Sequence, residues 1–301
     1  PLPPDRISAE IGASGVPPPD APLFVGRLPL RAQGPSLRRM RLATWNVNSI
    51  RTRLDHLARF AAEADPDVIC LQEIKVHPDA FPADACREMG YPHIAVHGEK
   101  GYNGVAILTK APFDAEESWS WWGQADARHL TVRLPQAFDL HVFYVPSGGP
   151  KPDTEANPKF AHKLGFLDEM IAWSRADRVA DRPLAVVGDL NVAPLETDVW
   201  NHKQIKRQVG HTPTECDRMA ALREAGGYID VGRHFVPPDR PLYTWWGYRH
   251  PQSYEKNYGW RLDHIWVTPP LADRLHGHAV HHHTRTWTKP SDHVPVTVDL
   301  A

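Results

Sequence analysis

Along the chain, apolar runs of strand length alternate with segments whose apolar residues recur at helical spacing, and polar residues collect where the apolar runs stop. RLATWNVNS reads as a strand ending in amides, and IRTRLDHLARFAAEA then places Ile50, Leu54, Leu57, Ala58 and Ala61 on one helical face. DVICLQEIK is a second strand, closed by a glutamate. GVAILTK, LHVFYVPSGG and PLAVVGDLNVAP are further short β-rich runs closed by turn residues. A long helix is predicted from Asn157 as cap and Pro158 in the first turn through KFAHKLGFLDEMIAWSR. A shorter one opens on the capping box Thr212-Pro213-Thr214-Glu215 and stops at Gly226-Gly227. With no repeat and no linker after Met40, residues 40–301 read as one α/β domain.

The strand ends carry the polar groups. Asn46, Glu73, Tyr144, Asp189 and Asn191 follow apolar runs, whereas Asp263 precedes HIWV and Asp292-His293 precede VPVTV. In antiparallel pairing the end of one strand lies beside the start of its neighbour, so these residues are predicted to share one rim. KPSDHVPV looks like a serine hydrolase triad packed into three residues. In an extended chain, however, Asp292 and His293 face opposite ways, so His293 needs a carboxylate from elsewhere. In GDLN the i, i+2 spacing of Asp189 and Asn191 puts both on one side if the chain stays extended there.

Charge and composition narrow the partners. A formal charge of −2 and a pI near 6.9 exclude polyanion binding through overall basicity, so a nucleic-acid site must be a local concentration of Lys and Arg. Cys70, Cys86 and Cys216 are far apart and without a CxxC pair, which predicts a reducing, cytoplasmic setting rather than a disulfide or zinc framework. No apolar run approaches the roughly 18 residues of a membrane span. Residues 1–39 are rich in Pro, Gly and Ala and lack a sustained period; they are predicted to be a disordered extension, with Met40 as the expected true start.

The rim's chemistry is that of carboxylates, amides, one phenol and one imidazole. Such oxygen-rich donors suit a hard divalent ion, Mg²⁺ or Mn²⁺, rather than zinc. Phosphodiester hydrolysis needs positive charge on the non-bridging oxygens, a base that orients water, and help for the leaving oxygen, and each role has a candidate here. Each short motif alone is weak, since Gly-Asp and Asn are ordinary turn residues.

In order, WNVNS, LQEIK, YVPSG, GDLN, WRLDHIW and SDH, with KGYNGVAILTK and YTWWGYR between them, resemble the exonuclease III family of abasic-site endonucleases, within the endonuclease/exonuclease/phosphatase superfamily. The resemblance runs from Met40 to the end. It implies a four-layer α-β-β-α sandwich of two mainly antiparallel sheets flanked by helices. It also implies incision of double-stranded DNA 5′ to abasic sites, leaving a 3′-hydroxyl, with 3′-to-5′ exonuclease and 3′-end trimming by a monomer that needs no membrane. The resemblance assigns Glu73, Asn46 and Asp292 to metal binding, with Asn48 acting through water and Asp189 and Asn191 as further candidates. It gives Asp189 the attacking water, Asn191 and Tyr144 the scissile phosphate, and makes Asp263 the missing partner of His293. Trp245, Trp260 and Leu262 match the walls of a pocket for the base-less sugar, and Lys75, Lys100, Tyr102 and Arg249 are expected on the DNA backbone. Trp119, Trp121, Trp122 and Trp173 are expected in the core, and the His281-His282-His283 run is expected as polar surface side chains and not as a metal site. Ser147 departs from the family pattern, which carries an amide after Tyr-Val-Pro. The rival readings are a phosphatase of the same superfamily with another substrate, which LQEIK, WWGYR and WRLDHIW disfavour, and a catalytically silent nucleic-acid-binding protein of this fold, which would be expected to lack a metal or base residue.

Overall fold

Alternation along the strands sets the layers. In β1 (Met40–Asn46), Met40 and Leu42 point into one core while Ala43 and Trp45 point into another, and the same parity recurs in the central strands of both sheets. The computed structural model describes residues 39–301 apart from Asp177 and Pro251; the extension expected before that, with its bearing on the start at Met40, lies outside the described residues.

The first sheet joins β1 to β2 (Val68–Gln72), β3 (His93–Glu99), β4 (Tyr102–Thr109), β11 (Leu275–Val280) and β12 (Val296–Leu300) in the order β11-β12-β1-β2-β4-β3. The second comprises β5 (Asp114–Glu117), β6 (His129–Leu134), β7 (Phe138–Tyr144), β8 (Leu184–Asp189), β9 (Ile229–Asp230) and β10 (Asp263–Val267) in the order β5-β6-β7-β8-β10-β9. Each sheet has one parallel pair among antiparallel neighbours. α1 (Ile50–Ala64) lies between the parallel strands β1 and β2, and α3 (Pro158–Ala176) between β7 and β8. α2 (Ala83–Glu88), α4 (His202–Ile205), α5 (Pro213–Ala225) and α6 (Val231–Phe235) complete the helices.

Between the sheets, Leu42, Val68, Cys70 and Ile107 meet Leu140, Val142, Val187 and Ile265. On the outer faces, Trp45 and Ile69 pack on Leu57 and Phe60 of α1, and Val186 and Trp266 pack with Phe166 and Met170 of α3 and Leu222 of α5. The four layers expected from the sequence are present, and each fully buried apolar side chain contributes about 1.5–3 kcal/mol. Asn157 Oδ1 accepts from the Lys159 amide at the start of α3, and the capping box of Thr212 and Glu215 opens α5. No helix among the described residues is long and apolar enough to cross a membrane.

Trp119, Trp121 and Trp173 pack on the outer face of the second sheet, as expected. Trp122 does not. It is 39% exposed and lies flat against Gly165, where a Cβ would stand 2.2 Å from its indole nitrogen, so the glycine makes the room that the core did not.

Parity also places the rim. Asn46, Tyr144, Asp189 and Asp263 occupy the inward-facing phase of β1, β7, β8 and β10 at their rim ends, and Asp189 is directly opposite both Tyr144 and Asp263. Behind the rim, Arg261 is buried with Asp198 at 2.7 Å and Asp230 at 2.9 Å. Burial opposes ionisation of Asp230, but the Arg261 charge and hydrogen bonds prevail and hold it at about 2. That is below the ordinary aspartate value, so the stability this pair contributes is complete above about pH 4 and is lost as pH falls toward 2. Arg261→Leu leaves the Asp230 carboxylate buried without its cation. It is expected to cost roughly 3–5 kcal/mol in urea denaturation at neutral pH, with the deficit shrinking in acid; a near-neutral substitution would contradict the assignment.

Candidate active site

Each strand end turns its side chain into the rim through local backbone geometry. Asn48, Glu73, Lys75 and Asn191 all have φ between 45° and 56°, the left-handed region, in the turns that follow β1, β2 and β8. For Glu73 and Lys75 this conformation is intrinsically unfavourable and is held by the surrounding hydrogen bonds. The Gly188 of GDLN has φ +134°, and a Cβ there would lie 2.0 Å from the Phe143 carbonyl oxygen, so only glycine lets Asp189 follow at this register.

At the centre, the Asn46 amide donates to Glu73 Oε1 and to Asp189 Oδ2, both at 2.9 Å. The Tyr144 hydroxyl donates to Glu73 Oε1 at 2.9 Å, and Lys75 Nζ lies 2.7 Å from Glu73 Oε2 and donates to Asn48 Oδ1. His293 Nδ1 donates to Asp263 Oδ2 at 2.8 Å while its Nε2 faces Asp189 Oδ2 at 3.7 Å. Asp263 Oδ2 also accepts from Thr244 Oγ1 at 2.6 Å. Asp292 turns the other way: its Oδ1 accepts from Asn48 Nδ2 and its Oδ2 from Trp245 Nε1, both at 3.0 Å.

Asp292 and His293 part because the segment pairs with a strand the sequence did not reveal. β12 begins only at Val296, but isolated antiparallel bridges run Val199↔Trp260, Trp260↔Trp245 and Trp245↔His293. This short ladder keeps residues 292–294 extended and sets Trp260, Trp245 and His293 abreast. Ser291 has a supporting part, its hydroxyl donating to the Asn46 carbonyl at 2.7 Å and accepting from the His293 amide at 3.2 Å.

The charges are arranged by burial. Burial works against protonation of His293, but the charges of Asp263 and Asp189 outweigh it and raise the imidazole to about 10. Desolvation pushes Asp189 above its ordinary value, with His293 opposing. Glu73 would be raised by burial, yet Lys75 and the Asn46 amide hold it below the ordinary range. Burial, reinforced by Glu73 and Asp189, raises Tyr144 and keeps it a phenol.

Glu73, Asp189 and His293 each place one possible ligand atom within 4.8 Å of the others, but an imidazole held protonated has no lone pair to give, so the carboxylate and amide oxygens are the donors for an ion here. The Lys75 ammonium, set between a carboxylate and an amide oxygen, shows that this corner accepts a cation through oxygen donors. Asp292 stands outside that group and is tied to it through Asn48. The histidine run 281–283 makes no such group: His281 meets Thr297, His282 packs on Trp246 and His283 pairs with Glu63.

Residues 43–293 match the Endonuclease/Exonuclease/phosphatase family. Exodeoxyribonuclease III of Haemophilus influenzae is 30% identical over 87% of this chain and 100% of its own length. The chain belongs to the exonuclease III family. Among solved structures, an AP endonuclease from Archaeoglobus fulgidus superposes with a TM-score of 0.80 at 31% identity, covering 87% of this chain and 99% of that one. The 3′ phosphatase NExo from Neisseria bound to product DNA hairpin does so with a TM-score of 0.80 at 30% identity over the same shares.

The other expected residues of this exonuclease III family member separate. Trp245, Trp260, Arg249 and Asp292 open onto one cleft of about 710 Å³, whereas Leu262 is buried behind Trp260 and does not line it. Lys100 and Tyr102 are exposed at the β3–β4 turn, next to Lys75 through the Gly101 amide on the Lys75 carbonyl. Lys75 itself is engaged by Glu73. Asn191 does not continue the extended chain: its amide donates back to the Val145 carbonyl at 2.8 Å, and its backbone N–H donates to Asp189 Oδ1 at 2.9 Å, so GDLN is a turn as well as part of the rim. Ser147 has its side chain exposed and offers its carbonyl to Lys163, whose ammonium also reaches the Asn191 carbonyl at 2.7 Å and pairs with Glu215. Neither Thr244 nor this buried Lys163–Glu215 pair is announced by a motif. Thr244 was findable only as the residue before Trp245, and Lys163 had no signal beyond a cation on a helix.

In the metal-free protein, an imidazole NMR titration is expected to show His293 charged through neutral pH and titrating near 10. Asp263→Asn removes a negative charge and an acceptor, so the same resonance should titrate lower by at least about one unit. A wild-type titration near the ordinary histidine value would contradict the pairing.

Proposed function

We propose that this protein is a metal-dependent DNA repair phosphodiesterase that incises double-stranded DNA 5′ to abasic sites, leaving a 3′-hydroxyl, with 3′-to-5′ exonuclease and 3′-end trimming activity. The observation that carries the reading is the meeting of Glu73, Asn46, Asp189, Asp263 and His293 at one rim beside a cleft walled by Trp245 and Trp260. The similarity to an AP endonuclease and to a 3′ phosphatase, both of which act on DNA ends or lesions by name, supports the two kinds of substrate.

Glu73 and Asn46, with Asp292 nearby through Asn48, would hold a divalent ion such as Mg²⁺ or Mn²⁺, which would supply positive charge for the phosphoryl and leaving oxygens. The side chains perform the rest. Asp189, desolvated and raised, is suited to take a proton from the attacking water once it is ionised. Asn191 follows it in the same turn and can donate to the phosphate when its amide leaves Val145. Protonated His293, oriented by Asp263, places positive charge at the phosphoryl group as negative charge gathers there, and Tyr144 adds a neutral donor. Lys100, Tyr102 and Arg249 hold the DNA backbone, supplying the local basic surface that a neutral chain needs. Trp245 and Trp260 face the base-less sugar, which leaves the duplex at low cost because no pairing is lost.

A duplex with one tetrahydrofuran abasic analogue, incubated with Mg²⁺, should be cut 5′ to the lesion in an EDTA-sensitive manner, while an undamaged duplex is not cut internally. No such incision by the wild-type protein would falsify the reading. Asp189→Asn should lower turnover by about 100-fold or more and leave DNA binding largely intact; near-wild-type incision would remove Asp189 from this role. Trp245→Ala should reduce abasic incision more than removal of a 3′-phosphate, and equal losses would argue against the sugar pocket.

A further inference from the structure

The cleft beside the rim extends beyond Trp245 and Trp260. It is lined as well by Trp200 and Tyr258, with Gln204 and Gln208 exposed beside them. Trp200 and Tyr258 meet with ring centroids 4.2 Å apart and planes tilted by 31°. Both residues are half-buried and line the cleft, so each keeps part of its surface accessible there. The pair is also rigid. The Trp200 amide donates to the Gly259 carbonyl at 3.0 Å, the Tyr258 amide donates to the Ser253 carbonyl at 2.7 Å, and Trp200 packs at once on the Val199–Trp260 cluster and the Tyr243–Trp246 cluster.

A base-less sugar is too small to fill the cleft. The whole volume, about 710 Å³, lies in the range of about 300–1,000 Å³ that houses ligands of drug size, which a complete nucleotide approaches and a bare deoxyribose phosphate does not. Rigid aromatic faces are the usual platform for an unstacked base and are indifferent to its identity, because every base has a π-face. Amide side chains at the rim can meet a base edge as donor or acceptor.

We propose that the Trp200–Tyr258 side of the cleft is a binding site for an intact nucleobase, so that the same cleft accepts the base-bearing 3′-terminal nucleotide during exonuclease action. The inference rests on the proposed nuclease reading and names which substrates its site admits. With the sugar against Trp245 and Trp260, the base enters the remaining space and stacks on the aromatic pair. Closure against bases is therefore not how this protein favours a lesion. Selection falls instead on the ease with which a nucleotide leaves the duplex, which is greatest at abasic sites, frayed ends and mismatched 3′ termini.

The test compares Trp200→Ala, Trp200→Phe and wild type on two duplexes, one with an internal tetrahydrofuran and one with a mismatched 3′-terminal adenosine. The alanine variant should lose about ten-fold or more kcat/KM on the mismatched end relative to its loss on the tetrahydrofuran duplex, and the phenylalanine variant should recover most of it. Equal losses on both substrates, or no loss on either, overturn the proposal. Because the alanine variant can fail to fold, wild-type protein is also titrated with deoxyadenosine 5′-monophosphate and with deoxyribose 5-phosphate, following tryptophan fluorescence. Tighter binding of the nucleotide by about ten-fold supports the base site, and equal affinity refutes it. Absence of all incision by wild type would sink the nuclease reading, while the titration reports separately on the base site.

Discussion

The polar seam that closes one end of the sandwich is the constraint on which the rest depends. Two sheets bury an apolar slab between them, and at one rim the inward-facing positions switch to Asn46, Tyr144, Asp189 and Asp263. Polar groups buried there must find partners, because an uncompensated buried charge costs several kcal/mol. They find them across the gap. Tyr144 of the second sheet reaches Glu73 of the first, Asn46 of the first reaches Asp189 of the second, and His293, fixed to β1 through Ser291, reaches Asp263 and Asp189. The groups that hold the sheets together at this end are those to which the proposed function gives the chemistry.

Compensation also fixes protonation. Glu73, Asp189 and Asp263 crowd a small volume, and Lys75 and His293 are the cations within contact. Crowding desolvates Asp189 and raises it toward the working range of a base, whereas Glu73, beside Lys75, stays ionised. Two carboxylates in one site are thereby driven apart in proton affinity by their neighbours alone.

Much of this was legible from the sequence because strand periodicity carries positional information. Once RLATWNVNS, YVP, GDLN and LDHIWV read as strands, the two-residue period dictates which of their ends face inward. What the period could not supply was pairing between segments too short to register as strands. The ladder from Val199 through Trp260 and Trp245 to His293 consists of single bridges, with no apolar run to announce it. Leu262 follows the family resemblance into the pocket wall, whereas its side chain packs in the cluster with Trp260, and Trp200 and Tyr258, in contact but far apart in sequence, share no motif that announces them. Trp122 failed differently: composition places tryptophans inside, but only the missing side chain at Gly165 accommodates this one at the surface.

The ladder explains how neighbours in sequence serve different ends of one site. Extended geometry at residues 292–294 sends His293 toward Asp263 and Asp292 toward Asn48 and Trp245, so the histidine and the carboxylate never compete for one partner. It also joins the pocket wall to the chemistry. Because the Trp245 indole donates to Asp292 Oδ2 at 3.0 Å, a ligand that displaces the ring breaks that bond and frees a carboxylate lone pair beside Asn48. A ligand that leaves the ring in place keeps Asp292 satisfied. The wall of the cleft and the carboxylate are thus joined by one hydrogen bond, and the join follows from the backbone register of the ladder.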